Sequence, residues 1–159
     1  MPYQAVILTV SDSCAAGTRT DTSGPAIRAM LEKAGFAIQA MQTVPDEESG
    51  ISAAIVHACD VLRADLVVTT GGTGLSPRDV TPEATLAVLD REIRAIPVAM
   101  WVEGLKATPR AMLSRAVAGT RGHTLVLNLP GSEKAARENL GAVAATLDHA
   151  LRMLAGGGH

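Results

Sequence analysis

The chain has 159 residues, of which 47% are hydrophobic and 2% aromatic, and its formal net charge is -2. This length is typical of one domain, and the apolar content suffices for a substantial core of Ala, Val, Leu, Ile and Met. The sequence shows neither clustered basic residues nor an aromatic platform, which argues against a nucleic-acid partner. It also shows neither a cleavable leader nor an apolar run of ~20 residues, so we expect no membrane partner and predict a cytoplasmic protein.

Short apolar runs alternate with helical patterns along the chain. Strands are predicted over residues 5–10, 36–44, 66–70 and 125–129. Helices are predicted over 23–34, 45–63, 97–105, 109–116 and 133–154, and one more begins with Thr81 as its cap and Pro82 as its first residue. This alternation predicts one three-layer α/β domain with a mostly parallel sheet over residues 1–155, followed by a flexible tail at 156–159.

The segment from Thr69 to Thr85 carries the strongest functional signal. It reads TTGGTGLSPRDVTPEAT and follows an apolar strand. It is not a Walker A motif, because no Gly-Lys-Ser/Thr is present, and Pro77 stands where a dinucleotide fingerprint needs its third glycine. Glycines allow close approach of backbone N–H groups, and the helix that follows turns its positive end toward the loop, so the pattern favours a phosphate-bearing ligand. Since Asp79 would repel a bare phosphate, a bridging divalent cation is expected.

Three further polar loops follow predicted strands, at residues 11–13, 44–46 and 130–132. Ligands of parallel α/β sheets bind outside the carboxyl ends of the strands, so these loops should meet the glycine-rich segment. Asp46 by itself would be a helix cap, but its place on the same edge as Asp79 favours two carboxylates that hold one Mg²⁺. For Asp12, stabilisation of a turn and contact with a ligand are equally good interpretations.

Several other residues leave alternatives open. Asn128 interrupts an apolar strand and is either a satisfied core amide or a ligand contact. Arg115, next to Ser114, is most simply a solvated cation, and Trp101 belongs either to the core or to a subunit interface. The four histidines have no metal-ligand spacing, and no Ser-His-Asp or Cys-His arrangement can be argued.

With these loops identified, the chain resembles the molybdopterin adenylyltransferases. The resemblance runs from Ala5 to Leu154 and rests on LTVSDS, DTSGP, VPDE, TTGGTGLSPRDVTPEAT, MLSRAVAGTRG and LVLNLPGS. It implies that the terminal phosphate of molybdopterin attacks the α-phosphorus of ATP and releases pyrophosphate, a reaction that depends on positioning and charge neutralisation. It also implies a homotrimer or hexamer and a downstream molybdenum insertase as partner.

The resemblance assigns residues to this reaction. Asp46 and Asp79 would organise Mg²⁺ and the triphosphate, and Gly71, Gly72, Thr73 and Gly74 would line the nucleotide and phosphate site. The rest of the pocket would be lined by Ser11, Asp12, Ser76, Ser114, Asn128, Pro130, Gly131 and Ser132. One position departs from some relatives, which carry Ser where Gly104 stands. Two other functions remain open, a non-catalytic binding protein of the same pathway and a hydrolase of nucleotide pyrophosphates.

Overall fold

The computed structural model of the chain describes residues 2–157. Six strands form one sheet in the order β2-β1-β3-β6-β5-β4. The strands β1, β2, β3 and β6 run parallel, β5 is antiparallel to β6, and β4 is antiparallel to β5. The strands are β1 (Gln4–Val10), β2 (Ala37–Val44), β3 (Leu66–Thr70), β4 (Arg91–Glu92), β5 (Ala118–Arg121) and β6 (Thr124–Leu129). The predicted α/β class with a mostly parallel sheet is confirmed.

Helices cover both faces of this sheet. They are α1 (Asp12–Ala15), α2 (Ser23–Lys33), α3 (Glu48–Val56), α4 (Thr81–Leu86), α5 (Ala95–Ala107) and α6 (Glu133–Leu154). A π-helical turn, His57–Val61, continues α3, and a 3₁₀ turn, Pro109–Leu113, follows α5. None of the helices among residues 2–157 has the length and apolar character needed to cross a membrane.

The core consists of two clusters separated by the sheet. Along β1, Ala5 and Ile7 pack with α2, α5 and α6, whereas Val6 and Leu8 pack with α3 and α4. Successive side chains of a strand point to opposite faces, so a continuous apolar run is what a strand covered on both faces requires. The rigid three-layer core fixes the positions of the loops at the carboxyl edge.

Several predicted boundaries were wrong. The strands β4 and β5 were missed because they are short, and because β5 joins β6 through a turn at Gly122 that makes the edge antiparallel. The predicted helix at 109–116 is a 3₁₀ turn that ends at Leu113, since Ser114 has an extended backbone. Thr81 does not cap α4: it is the first helical residue, Val80 precedes it as the cap, and the Thr81 hydroxyl is buried without a partner among the described residues.

The predicted tail at 156–159 lies partly inside the described residues. Gly156 N–H donates to the Met153 carbonyl at 3.0 Å, and Gly157 N–H donates to the Arg152 carbonyl at 2.9 Å. These two glycines therefore close the last turn of α6, because they satisfy carbonyls that the helix leaves unpaired. Residues 158 and 159 lie outside the described residues.

Candidate active site

Hydrogen bonds join the four loops that follow the parallel strands. Ser11 N–H donates to the Val44 carbonyl at 2.9 Å, which links the ends of β1 and β2, and Gly71 N–H donates to the Leu129 carbonyl at 3.0 Å, which links β3 and β6. The Thr70 hydroxyl donates to the Pro130 carbonyl at 2.7 Å. The loops thus form one continuous edge.

Two glycines of the glycine loop, residues 71–74, occupy positions that no other residue fits easily. Gly71 has φ +107°, and a Cβ there would lie 2.2 Å from the Val10 carbonyl oxygen. Gly72 has φ +68°, and a Cβ there would lie 2.2 Å from the Thr81 hydroxyl oxygen. Positive φ and missing space both require glycine. The bare backbone consequently forms the floor of the site.

Asp12 and Asp46 hold the first two loops together by a reciprocal pair of hydrogen bonds. Asp12 N–H donates to Asp46 Oδ2 at 2.8 Å, and Asp46 N–H donates to Asp12 Oδ1 at 2.9 Å. Arg78 donates to both oxygens of Asp12, from Nε at 3.0 Å and from Nη2 at 2.9 Å. This fork lowers the pKa of Asp12, and the Asp46 backbone bond lowers it further. Asp12 is therefore neutralised by Arg78 and links three loops.

Asp46 and Asp79 both border the first cavity, and each lies next to a different glycine of the glycine loop. Asp46 Oδ1 is 3.2 Å from the position of a Cβ on Gly72, and Asp79 Oδ2 is 2.9 Å from that of a Cβ on Gly74. Burial raises the pKa of Asp46, although the hydrogen bond from the Asp12 backbone N–H lowers it. The charges of Asp12 and Asp79 raise this pKa further. The site thus holds negative charge in excess of its cations, which a bound cation would relieve.

The donor set at these two residues suits a hard cation that keeps other ligands. Carboxylate oxygens are the ligands that Mg²⁺ prefers, and Mg²⁺ commonly binds through one or two carboxylates together with phosphates and water. Among residues 2–157, no group of three or more His, Cys, Asp or Glu residues is placed to hold a metal ion. A cation at Asp46 and Asp79 would therefore need phosphate or water oxygens to complete its shell.

Two adjoining cavities open along this edge. The first has a volume of about 330 Å³ and the second about 460 Å³, both within the usual range of ligand pockets. The first extends toward β1 and α2, and the second extends toward α5 and α6. Both are lined by Gly72, Asp79, Gly131 and Ser132. These four residues are the junction of the cavities, where groups from two ligands can meet.

The amino end of α6 faces this junction. Ser132 is its N-cap, and its hydroxyl accepts a hydrogen bond from Ala135 N–H at 3.2 Å. A helix of 22 residues directs unpaired N–H groups and the positive end of its dipole toward its start. The sequence assigned this role to α4, but α4 has six residues, and Thr81 N–H donates to the Gly72 carbonyl. The favourable dipole for an anion comes from α6.

Most predicted site residues border the cavities. Ser11, Asp46 and Gly71 line the first, and Thr73, Gly74, Ser114 and Pro130 line the second. Three residues lie elsewhere: Asp12 joins loops, Ser76 donates its N–H to Asp79 Oδ2 at 3.0 Å, and Asn128 is fully buried. The Asn128 amide donates to the Thr69 and Thr85 hydroxyls at 2.9 and 3.0 Å and accepts from Val117 N–H. Asn128 is therefore a satisfied core amide in this structure.

The sequence of the whole edge also matches a protein family. The family model described as "Probable molybdopterin binding domain" matches residues 6–149, which include all four loops and the lining residues of both cavities. The chain belongs to this family. The resemblance inferred from the loop motifs is thereby confirmed at the level of the family.

Members of the family with established names are similar over most of this chain. The molybdopterin adenylyltransferase of Helicobacter pylori J99 is 37% identical over 154 residues, which cover 94% of this chain and 86% of that protein. Gephyrin of Dictyostelium discoideum is 42% identical, but the match covers 22% of it. The crystal structure of the molybdopterin biosynthesis enzyme MoaB from Thermus thermophilus has a TM-score of 0.92 and 49% identity, with 97% of each chain covered. Three other curated relatives are longer proteins, and this chain spans half of their length or less.

The structure adds one residue that the sequence interpretation set aside. Arg115 is not a solvated cation: its Nε donates to the Gly74 carbonyl at 2.8 Å, its Nη2 donates to the Asp79 carbonyl at 2.7 Å, and it pairs with Glu83. This pairing lowers the pKa of Glu83. Arg115 thus fixes the far side of the glycine loop. The motif MLSRAVAGTRG contained this residue, but only the fold brings it to residues 74 and 79.

A second residue was quoted within a motif without a role. Asp21 borders the first cavity and accepts hydrogen bonds from the Thr9 hydroxyl at 2.7 Å and from Gly24 N–H at 3.0 Å. It therefore ties the start of α2 to β1. The signal available in the sequence was an acidic residue three positions before a glycine at a helix start, which is typical of capping.

Proposed function

We propose that this chain is a molybdopterin adenylyltransferase, which transfers AMP from ATP to the terminal phosphate of molybdopterin. An oxygen of that phosphate forms a bond to the α-phosphorus of ATP, the bond from this phosphorus to the bridging oxygen breaks, and pyrophosphate leaves with the bonding electrons. Relatives named for this activity, similar over 94% of the chain, support the proposal.

The observation that carries the proposal is the junction of two cavities at Gly72, Asp79, Gly131 and Ser132. A transferase must hold two substrates with their reacting phosphates together and their remaining parts apart. Two pockets of about 330 and 460 Å³ that meet at bare backbone and a helix start meet this need. The backbone N–H groups around the junction would orient the phosphates, and the cavity walls would hold the two heterocycles.

Asp46 and Asp79 are proposed as the residues that hold Mg²⁺ between protein and triphosphate. Bound Mg²⁺ neutralises phosphate oxygens and so lowers the cost of the charge that develops on the leaving pyrophosphate. The raised pKa of Asp46, caused first by burial and then by the neighbouring carboxylates, supports this assignment. Asp12 and Arg115 would act through the loops, because they contact Asp46 and the glycine loop.

The second candidate is a non-catalytic protein that binds molybdopterin or nucleotide. Pterin binding alone has no need for two carboxylates at a cavity junction, and the pair of carboxylates therefore favours catalysis. A hydrolase of nucleotide pyrophosphates is the third candidate, and it would need only one of the cavities.

Pyrophosphate release from Mg-ATP, measured with and without molybdopterin, separates the three. The proposed transferase releases pyrophosphate only when molybdopterin is present. Pterin binding without release would establish the binding protein, and release without molybdopterin would establish the hydrolase. Omission of Mg²⁺ should abolish release by the transferase.

A homotrimer is proposed as the assembly. Val98 and Val102 lie one turn apart on α5 and are 49% and 57% exposed, which supports an interface there. Light scattering of the purified protein tests the assembly, with a monomer as the contradicting result and a hexamer as the alternative assembly. The downstream molybdenum insertase as partner and the cytoplasmic location stay predictions.

A further inference from the structure

The second cavity contains polar side-chain groups that the rest of the protein leaves without partners. Asn139, on α6, is only 6% exposed and lines this cavity. Its carboxamide makes no side-chain hydrogen bond within residues 2–157, and its polar atoms are accessible rather than fully buried. The indole N–H of Trp101, on α5, is buried and likewise lacks an acceptor within this range, and Trp101 lines the same cavity. The indole N–H is thus an exception to the rule that buried polar groups are hydrogen-bonded, and the Asn139 carboxamide is free to bind a molecule in the cavity.

Gly104 leaves the Asn139 carboxamide open to the cavity. A Cβ on Gly104 would lie 3.5 Å from Asn139 Oδ1 and 2.9 Å from the Ala111 Cβ. Any side chain at position 104 would therefore crowd Ala111 and contact the carboxamide oxygen of Asn139. Since Gly104 also lines the cavity, nothing at residue 104 separates this oxygen from a bound molecule.

We propose that the Asn139 carboxamide recognises the heterocycle of the substrate that occupies the second cavity. A carboxamide carries an acceptor oxygen next to a donor NH₂ group, so it pairs with a ring edge that presents a donor beside an acceptor. The pyrimidine edge of a pterin and the amino edge of adenine both have this pattern. The inference rests on the proposed function, which places one heterocycle in each cavity.

Trp101 has a supporting role in this recognition. Its side chain is partly buried beside the same space, and a flat apolar ring is a suitable wall for a planar heterocycle. Asn139 would then provide the specific hydrogen bonds and Trp101 the apolar surface. The competing explanation for Asn139 is a buried water that satisfies the amide, which requires no ligand.

The test measures ligand affinity and stability of Asn139→Leu, which has similar volume and no polar group. Titration calorimetry gives Kd for Mg-ATP and for molybdopterin separately, and thermal unfolding of the ligand-free protein gives Tm. We expect about 10- to 100-fold weaker binding of one of the two ligands, because its heterocycle loses its paired hydrogen bonds. The Tm without ligand should not fall, since Leu replaces a group that has no partner in the protein. Thr146→Leu, at an exposed position of α6, is the matched control.

The identity of the weakened ligand assigns the cavity to the pterin or to adenine, and either result supports the inference. Unchanged Kd values for both ligands in Asn139→Leu overturn it while leaving the proposed function intact. If the wild-type protein binds neither ligand, the proposed function and the inference both fail. If Leu lowers the Tm, Asn139→Asp, which keeps size and acceptor but loses the donor, takes its place, and unchanged affinity in that variant is again the overturning result.

Discussion

Gly72→Ala tests whether the shape of the glycine loop depends on the space between Gly72 and Thr81. The new Cβ would lie 2.2 Å from the Thr81 hydroxyl oxygen, closer than real contacts allow, and it would force a residue with a side chain to φ +68°. Left-handed backbone costs about 1–2 kcal/mol, and overpacking adds about 1–3 kcal/mol. We therefore expect the free energy of unfolding to fall by about 3 kcal/mol.

A second substitution separates these two causes. Thr81→Ala removes the atom that the new Cβ would meet, and by itself it should cost about 1 kcal/mol or less, because the hydroxyl it removes is buried without a partner among the described residues. In Gly72→Ala/Thr81→Ala the overlap at 2.2 Å is gone, and the backbone strain remains together with the tighter-than-usual approaches of 3.2 Å to Asp46 Oδ1 and to the Cβ of residue 81. The double-mutant cycle should therefore give a favourable coupling of about 1–3 kcal/mol.

Urea denaturation followed by fluorescence of Trp101, the only tryptophan in the chain, measures these free energies. Gly50→Ala is the control: Gly50 lies in α3, and a Cβ there would meet nothing within 4 Å. This change should stabilise the protein by about 0.5–1 kcal/mol. Equal stability losses in the single and double variants of Gly72, or no loss in Gly72→Ala, would refute the account of the loop.

Three further predictions concern charge in the site. Asp46→Asn and Asp79→Asn should each keep the fold and lower the rate of pyrophosphate release by about 100-fold or more, and full activity in either would refute a cation role for that residue. Because the pKa of Asp46 is raised, the folded protein binds a proton at this carboxylate more readily than the unfolded chain does. Ionisation of Asp46 therefore lowers the stability of the folded protein near neutral pH. This loss disappears as the pH falls through the raised pKa. Without Mg²⁺, Asp46→Asn should thus have a higher Tm than the wild type at about pH 7 and an equal one in acid; a Tm difference that does not change with pH contradicts this. Arg115→Gln should lower the free energy of unfolding by about 1–3 kcal/mol and raise KM for ATP, because the Gly74 and Asp79 carbonyls lose their donor; an unchanged KM would show that the loop keeps its shape without Arg115.

The sequence predicted the loops at the carboxyl edge of the sheet better than it predicted the edge strands. Apolar runs that end in polar loops predict parallel strands with a shared carboxyl edge, and this rule brought Asp46 and Asp79 to one place. The edge strands β4 and β5 escaped detection because a strand of two or four residues has no measurable periodicity. Thr81 has the residue type of a cap, but the loop leaves Val80 in that position.

Sequence patterns could not identify the residues whose roles depend on tertiary contacts. Arg115 lies 41 positions from Gly74, and its role depends on where the chain returns after α5. Asn139 has the appearance of an ordinary polar residue on an amphipathic helix, because periodicity does not reveal that Gly104 opens the space above it. The interpretation of Asn128 could be settled only when its three partners were seen.

The most direct test of the proposed function follows the α-phosphorus itself. The protein is incubated with molybdopterin, Mg²⁺ and ATP labelled at the α-phosphate, and the pterin products are separated. The account predicts that label enters a pterin product in an amount equal to the pyrophosphate released, and that Asp79→Asn nearly abolishes this transfer. Label found only in free AMP, or retained in ATP while molybdopterin binds, would contradict it.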